Sequence, residues 1–323
     1  MADEDTTRKQ AREASEQLQG LKDEVETVFK GKPQAVELAL VTLLSGGHLL
    51  IDDVPGQGKT VLSKTLARAL DCDYSRIQFT PDLLPADVTG GTIYRRDAGE
   101  FEFRKGPLFA NVVLADELNR TIPRTQSCLL EAMNEYQVTV DGQTHELPRP
   151  FYVMATRNPF ESEGTYPLPE SQLDRFLVCM NIGYPTRAVA KDIIQSQRLR
   201  HPLETVKPVL DTEDVLALRR LVRGVRVEED VIDYTMAVVE RTREEEEVVL
   251  GGSPRAGIHL YRASQALALL RGRNYVCPDD VKELAVPVLA HRLRCRRTGD
   301  ATENMEKARR IVRGLVGQVV VPA

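Results

Sequence analysis

Residues 49–60 constrain the fold of this chain more than any other segment. An apolar run at 49–51 leads into a turn that contains Gly56 and ends in Gly58-Lys59-Thr60. This is the layout of a phosphate-binding loop, in which backbone N–H groups and a helix N-terminus surround phosphate oxygens. The lysine then reaches the β- and γ-phosphates, and the threonine hydroxyl holds Mg²⁺. The predicted nucleotide-binding residues are Asp53, Val54, Pro55, Gly56, Gln57, Gly58, Lys59, Thr60 and Val61.

One position departs from the usual phosphate-binding loop. The usual motif begins with a glycine, and here that position is Asp53. Aspartate tolerates positive φ better than most residues, but its carboxylate adds negative charge close to the phosphates. Taken alone, the segment favours nucleotide binding over a strand–turn–helix connection that binds nothing.

The composition of the whole chain argues against several classes of protein. A length of 323 residues suits about two domains. The net charge of −5 gives no electrostatic reason to expect binding to nucleic acid or acidic membranes. The five cysteines and five histidines form none of the spacings typical of metal sites. No apolar run is long enough to span a bilayer, so we expect a cytoplasmic protein with reduced thiols.

The periodicity of the sequence divides the chain into parts. Residues 1–15 are polar and are predicted to form a tail, with a charged helix from about Thr7 to Lys30. Residues 16–200 alternate strands with helices, which favours an α/β fold with a central parallel sheet and helices on both faces. Two hairpins, near 91–104 and 136–147, interrupt this alternation. Residues 201–323 show only helical periodicity, so the sequence predicts an all-helical second domain without strands.

Polar side chains follow two further apolar strands. Asp116 and Glu117 come directly after the run at 112–115, and ligands bind at the carboxyl ends of strands in such sheets. We predict that Asp116 supports Mg²⁺ and that Glu117 orients and deprotonates the attacking water. Asn158 follows the next strand and is suited to bond the γ-phosphate or this water. Taken alone, however, Asn-Pro favours a simple turn.

The ordered set of motifs resembles that of the AAA+ ATPases, and within them the MoxR group of chaperone-like ATPases. The resemblance covers about residues 15–320, and the combination is far more specific than any single motif. The matching segments are Asp53-Val54-Pro55-Gly56, Gly58-Lys59-Thr60, Asp116-Glu117-Leu118-Asn119-Arg120, Ala155-Thr156, Asn158-Pro159, Leu168-Pro169-Glu170, Gln172-Leu173-Asp174-Arg175-Phe176 and Ser253-Pro254-Arg255-Ala256. Members of this group accept an acidic residue at the position of Asp53. Gln57 and Arg157 are positions at which we expect variation.

The resemblance also implies roles for three polar residues. Asn158 is then the sensor 1 residue, Arg175 the arginine finger that reaches into a neighbouring subunit's site, and Arg255 the sensor 2 residue on the lid. An arginine supplied by a neighbour neutralises charge in the phosphoryl-transfer transition state, with effects of about 10³–10⁵ in rate in related systems. The implied cofactors are ATP and Mg²⁺. The implied assembly is a ring of identical subunits, most often a hexamer, with the hairpins facing the pore or upper surface.

The function implied by the resemblance is an ATPase that remodels, assembles or activates a protein client, with a partner that carries a von Willebrand factor A domain. Three alternatives stay open: a magnesium-chelatase-like subunit, a nucleotide-gated scaffold with little turnover, and a nucleic-acid motor. The intact Lys59 and Glu117 argue against the scaffold. The second hairpin carries Asp141 and Glu146 but no Lys or Arg, which argues against the motor. We expect neither nucleic-acid binding nor membrane insertion.

Overall fold

A computed structural model describes residues 2–97, 99–159, 164–196 and 202–321. The strands are β1 (Leu49–Asp52), β2 (Tyr74–Gln78), β3 (Gly90–Arg95), β4 (Glu100–Lys105), β5 (Val112–Asp116), β6 (Gln137–Val140), β7 (Gln143–Glu146), β8 (Tyr152–Arg157), β9 (Val178–Met180), β10 (Val248–Leu250) and β11 (Arg294–Cys295). The helices are α1 (Ala2–Val28), α2 (Pro33–Leu44), α3 (Lys59–Ala69), α4 (Pro85–Thr89), α5 (Pro123–Glu135), α6 (Glu170–Leu173), α7 (Arg187–Ser196), α8 (Thr212–Arg223), α9 (Glu229–Glu244), α10 (Pro254–Leu270), α11 (Pro278–Leu289) and α12 (Ala301–Gln318).

The centre of the N-terminal part is a parallel sheet of five strands in the order β2-β5-β8-β1-β9. β1 and β8 are buried over their whole length, and β5 is buried as far as Ala115. Near-continuous apolar strands of this kind are typical of a sheet covered by helices on both faces. Because β5, β8 and β1 are neighbours, the loops that follow them leave the same edge of the sheet side by side. The predicted α/β core is confirmed.

Both predicted hairpins are present. β3 pairs with β4 and β6 pairs with β7, each pair antiparallel. At the tip of the second hairpin Asp141 and Gly142 have φ of +50° and +78°, as a tight turn between two strands requires. The Phe103 ring stacks on the His145 ring with centroids 3.8 Å apart. The two hairpins therefore contact each other, which the sequence does not predict.

The first helix corrects the predicted N-terminal tail. The sequence predicts a polar tail over residues 1–15 with a helix from about Thr7, whereas α1 begins at Ala2 and packs against the lid. Ala11 and Ala14 are buried, and the Ser15 hydroxyl donates to the backbone carbonyl of Leu270 on α10 at 2.9 Å. Two alanines among charged neighbours make a narrow apolar stripe, which is too weak to recognise as a buried helix face from sequence.

The C-terminal part is a helical lid, with one correction to the prediction that it contains no strand. β10 and β11 form an antiparallel pair that joins Val248 to Cys295. Strands this short do not show the alternation over four to eight residues by which strands are recognised in sequence.

Helix α5 (Pro123–Glu135), in the α/β part, is also absent from the sequence-based prediction. In the described ranges, no helix has both the length and the apolar character needed to cross a membrane.

Candidate functional site

The loop after β1 has the conformation that its glycines predict. Gly56 and Gly58 have φ of +84° and +85°, values that glycine adopts without steric cost. Gly58 is the N-cap of α3 and Lys59 is its first residue, so the free N–H groups of the first helical turn belong to this loop. A Cβ atom on Gly58 would lie 3.2 Å from the Phe29 ring. The loop backbone therefore packs closely against the end of the first helix.

Lys59 lies at the meeting point of two strand ends. Its side chain is largely buried, and its ammonium donates to the backbone carbonyl of Asp53 at 2.5 Å. Burial lowers the pKa of Lys59, and the carboxylates of Asp53, Asp116, Asp52 and Glu117 oppose this shift. The lysine of the loop after β1 and the acids at the end of β5 thus share one electrostatic environment. A cation here is placed to bind phosphate oxygens.

The Asp53 carboxylate fastens the start of the loop to the segment after β9. Its Oδ2 accepts hydrogen bonds from the backbone N–H groups of Ile182 at 2.7 Å and Gly183 at 2.6 Å. Its Oδ1 accepts from the N–H of Val54 at 2.8 Å. Asp53 does not have a positive φ. The tolerance of aspartate for positive φ therefore does not explain its presence here. Hydrogen bonding explains why an aspartate occupies the usual glycine position.

Replacing Asp53 with glycine, which restores the usual motif, is expected to lower the free energy of unfolding by about 2–4 kcal/mol. The reason is that the N–H groups of Ile182 and Gly183 lose a charged acceptor, and hydrogen bonds to charged groups contribute about 1.5–3 kcal/mol each. Urea denaturation measures the change. Asp53→Asn keeps one oxygen acceptor without the charge and should lose less. Equal stability of Asp53→Gly and the parent protein would show that these bonds contribute nothing.

The two predicted carboxylates at the end of β5 are held by neighbouring strands. The Thr156 hydroxyl of β8 donates to Asp116 Oδ1 at 2.7 Å, and Arg76 of β2 forms an ion pair with Asp116 Oδ2 at 2.7 Å. Glu117 accepts a hydrogen bond from the Gln78 amide at 2.7 Å. Glu117 has φ of +57°, and a non-glycine residue in this region costs on the order of 1–3 kcal/mol. The structure therefore holds Glu117 in a strained backbone conformation.

Sequence reasoning missed Arg76 and Gln78 as neighbours of these acids. Both lie on β2, where Gln78 is the register partner of Asp116. Residues two apart on a strand point to the same face, so the alternation Arg76-Ile77-Gln78 places both polar side chains on one face of β2. The sequence does not show that β2 pairs with β5, so it does not place this face beside Asp116 and Glu117.

Arg157, a position at which the sequence analysis expects variation, forms a buried ion pair. Its guanidinium donates two hydrogen bonds of 2.9 Å to the carboxylate of Asp52, and the two residues are 7% and 2% exposed. The pair joins the ends of β8 and β1 where the phosphate-binding loop begins. Since a buried charge without its partner is costly, this pair fixes the two strand ends relative to each other.

Asn158 follows the same strand end as Arg157. Its backbone carbonyl accepts a hydrogen bond from the Asn119 amide at 3.5 Å, and Asn119 lies just after Glu117 in the chain. The predicted sensor 1 residue thus lies at the same sheet edge as the acidic pair. This agrees with the sequence-based placement, while its catalytic role stays a prediction.

Arg175 and Arg255 lie together at a second location. Arg175 donates to the backbone carbonyl of Leu130 on α5 at 2.6 Å, and Arg255 lies 3.7 Å from the carboxylate of Asp174. Asp174 directly precedes Arg175 in the chain. Within the described part of the chain, neither arginine forms a hydrogen bond or ion pair with residues 53–61. The two arginines are therefore linked through Asp174, and among the described residues neither is bonded to the loop of its own chain.

Asp174 also joins the lid to the α/β part. It accepts hydrogen bonds from the Ser253 hydroxyl at 3.1 Å and from the guanidinium of Arg292 at 2.8 Å. Arg292 is fully buried, and burial lowers its pKa to about 10 although Asp174 opposes the shift. Sequence reasoning did not identify Arg292.

A cavity of about 220 Å³ lies beside the phosphate-binding loop. Its apolar lining comes from the end of α1, from α3, from the segment after β9 and from α7. These residues are Val28, Phe29, Val61, Ile182, Pro185 and Ile193. An apolar cleft with a few polar groups is typical of a small-molecule site. The oxygen atoms of Thr60 and Asp116 are of the type that Mg²⁺ prefers. The residues present therefore fit a nucleotide and its Mg²⁺ ion.

Comparison with known protein families defines the class. Residues 48–178 match the family described as "ATPase family associated with various cellular activities (AAA)", and residues 240–314 match the AAA lid domain. The fold and the nucleotide site therefore define an AAA ATPase with its lid, as the sequence predicts.

Individual relatives narrow the class to a family. The chain is 49% identical to the uncharacterized protein YeaC of Bacillus subtilis over 93% of each chain. It is 45% identical to chaperone MoxR1 of Mycobacterium tuberculosis over 84% of this chain and 74% of that protein. A crystal structure of "a putative ATPase" from Cytophaga hutchinsonii superimposes with a TM-score of 0.89 at 35% identity, covering 100% of both chains. The chain belongs to the MoxR family of AAA ATPases.

Proposed function

We propose that this ATPase hydrolyses ATP with Mg²⁺ at sites shared between neighbouring subunits of a ring. Six subunits is the number that the family resemblance favours. The observation that carries the proposal is the separation of two groups of residues. Lys59, Asp116 and Glu117 meet at one sheet edge. Arg255 pairs with Asp174, the residue before Arg175, and in the described residues neither arginine forms a hydrogen bond or ion pair with that loop. Two incomplete half-sites on one chain are complementary when chains assemble side by side.

The first group would hold the nucleotide and the metal ion. The cavity beside Phe29 suits the base, the backbone N–H groups of residues 56–60 and the Lys59 ammonium suit the phosphates, and Thr60 and Asp116 suit Mg²⁺. The ion, when bound, stabilises negative charge on phosphate oxygens. Glu117 would act as the general base, and Asn158 would help to orient the water that Glu117 deprotonates.

The second group would act on the neighbouring subunit. Arg175 would neutralise transition-state charge as the arginine finger, and Arg255 would act as sensor 2. Asp174 contacts Arg255 and precedes Arg175, so a shift of the lid that moves Arg255 would also reach the finger. This arrangement makes hydrolysis depend on assembly and couples it to lid position.

The ATPase cycle would remodel, assemble or activate a protein client, together with a partner that carries a von Willebrand factor A domain. The chaperone name of the Mycobacterium relative supports a protein client. The first hairpin supports it as well, because Phe101 is 76% exposed and Tyr94 is 55% exposed on it. Large apolar side chains exposed next to each other are characteristic of protein-binding surfaces.

Affinity capture with the Glu117→Gln variant in the presence of ATP tests this function. A variant that binds ATP without hydrolysing it is expected to remain assembled and to retain its client and the partner protein. Native mass spectrometry of the captured assembly reports the number of subunits and identifies the retained chains. Lys59→Ala, which removes phosphate binding, is the matched control and is expected to retain neither. Equal capture by both variants, or a single chain in the captured species, would contradict the proposal.

A further inference from the structure

A second cavity lies at the amino ends of the sheet strands, at the opposite end of the strands from the phosphate-binding loop. It measures about 370 Å³ and lies between the α/β part and the lid. Gly46 and Phe151 line it just before β1 and β8, at the amino ends of these strands, whereas the nucleotide site lies at their carboxyl ends. From the lid, α8 and α10 contribute the remaining wall.

The lining of this cavity is rich in arginine. Five guanidinium groups line it, and among its described lining residues none is acidic; they are Arg149, Arg219, Arg220, Arg223 and Arg262. Within the described part of the chain, none of the five forms an ion pair with a carboxylate. Arg219 and Arg262 are partly buried and the other three are exposed, whereas the buried Arg157 and Arg292 do have such partners. The cavity therefore concentrates positive charge on a chain whose net charge is −5.

The contacts of these arginines leave most of their donors free. Arg219 donates to the backbone carbonyl of Leu43 at 2.9 Å, and Arg262 donates to the Gln265 side chain at 3.0 Å. Arg149 lies over the ring of Tyr136, 5.7 Å from its centroid. A guanidinium group has five N–H donors, so these neutral contacts satisfy only a fraction of the hydrogen-bonding capacity.

Arg219 gives an independent indication of a missing partner. Its Nη2 atom is shielded from solvent and, among the described residues, has no hydrogen-bond acceptor. Burial lowers the pKa of Arg219, and no carboxylate is prominent among the groups that oppose the shift. Buried donors without acceptors are rare in folded proteins because they are costly. A bound anion would supply the acceptor.

We propose that this cavity binds a small molecule that carries two or more phosphate groups, at a site distinct from the ATP site. The planar guanidinium fork matches phosphate oxygens with paired hydrogen bonds, and several arginines require several negative charges. The apolar residues Leu44, Phe151 and Leu216 complete the lining and can cover an uncharged portion of the ligand. The volume lies in the range of small-molecule sites. Because its walls come from both domains, the ligand fixes the lid relative to the sheet.

Titration calorimetry with inorganic pyrophosphate tests this site. The titrated protein is the Lys59→Ala variant, in which the phosphate-binding loop lacks its lysine. We expect saturable binding of one pyrophosphate per chain, weaker binding of orthophosphate, and at least a ten-fold loss of pyrophosphate affinity when Arg220→Glu and Arg223→Glu are added. Both side chains are exposed on α8, so the variant is expected to fold, as thermal unfolding verifies.

The matched control adds Arg310→Glu and Arg313→Glu to the same Lys59→Ala protein. These residues are exposed on α12 with the same three-residue spacing and the same change in net charge, but they do not line the cavity. The control is expected to bind pyrophosphate as its parent does. Absence of saturable binding, an equal loss in both charge-reversed variants, or equal affinity for orthophosphate and pyrophosphate would each overturn the proposal. None of these results depends on ATP hydrolysis or on ring assembly.

Discussion

Replacing Glu117 with glutamine is expected to reduce ATP hydrolysis by about 10²–10⁴-fold, the range that a positioned general base contributes. The amide cannot accept the proton of the attacking water, but it has nearly the same shape and can still accept the hydrogen bond from Gln78. The substitution leaves Lys59 and Thr60, which we propose hold the nucleotide and its Mg²⁺, in place, so ATP binding should persist. Phosphate release measures the rate, and titration with a fluorescent ATP analogue measures binding.

Two variants serve as controls for this result. Glu131→Gln removes the same charge from an exposed position on α5 and should hydrolyse ATP as the parent does. Lys59→Ala should lose binding as well as turnover, which separates a binding defect from a chemical one. If Glu117→Gln hydrolyses ATP at the parental rate, another group is the general base.

The parts of the site that sequence predicts are those encoded locally. The turn at Gly56 and Gly58 requires positive φ, and glycine is the residue that supplies it, so a short segment is sufficient to identify the loop. Asp116 and Glu117 were found for a related reason, because an apolar strand of a parallel sheet delivers the residues at its end to a known edge. The order of these motifs along the chain then predicts that the loop and the two acids share one site, without any knowledge of tertiary contacts.

The parts that sequence does not predict depend on partners far apart in the chain. Asp53 bonds to backbone groups 129 and 130 residues away, and Arg157 pairs with Asp52 across 105 residues. An aspartate that accepts from distant N–H groups has no pattern in the sequence around it. The same holds for the arginine-lined cavity, whose five guanidinium groups come from three separate segments.

The fold follows the same division between local and distant information. Four of the five sheet strands (β1, β5, β8 and β9) are predictable because each is a buried apolar run bounded by polar residues. β2 has only Ile77 buried, and it is predicted from its place after a helix in a strand–helix–strand unit. The burial of the beginning of α1 is not predictable, because Ala11 and Ala14 become a buried face only when the lid is present to cover them. β10 and β11 are defined by pairing with each other rather than by their own composition.

Replacing Arg175 with alanine is expected to reduce ATP hydrolysis by about 10³–10⁵-fold, since an arginine finger stabilises the charge of the phosphoryl-transfer transition state. ATP binding should change little because, among the described residues, Arg175 forms no hydrogen bond or ion pair with the loop of its own chain. Arg175 also donates to the Leu130 carbonyl, so thermal unfolding is needed to show that the variant is folded. Arg175→Lys, which keeps the charge but loses the planar fork, should recover only part of the rate.

Mixing of inactive subunits decides whether Arg175 acts on a neighbour. Arg175→Ala subunits keep an intact Glu117, and Glu117→Gln subunits keep an intact Arg175, so a mixed ring contains some complete sites and should regain turnover. Glu117→Gln mixed with Lys59→Ala is the matched control: both defects lie in the same half of the site, and no mixture completes it. Recovery in the first mixture alone requires that the arginine come from the adjacent chain. Native mass spectrometry verifies that mixed rings form. If neither mixture then regains turnover, Arg175 acts in the site of its own subunit. In that case a movement within one chain must bring Arg175 to the phosphate-binding loop.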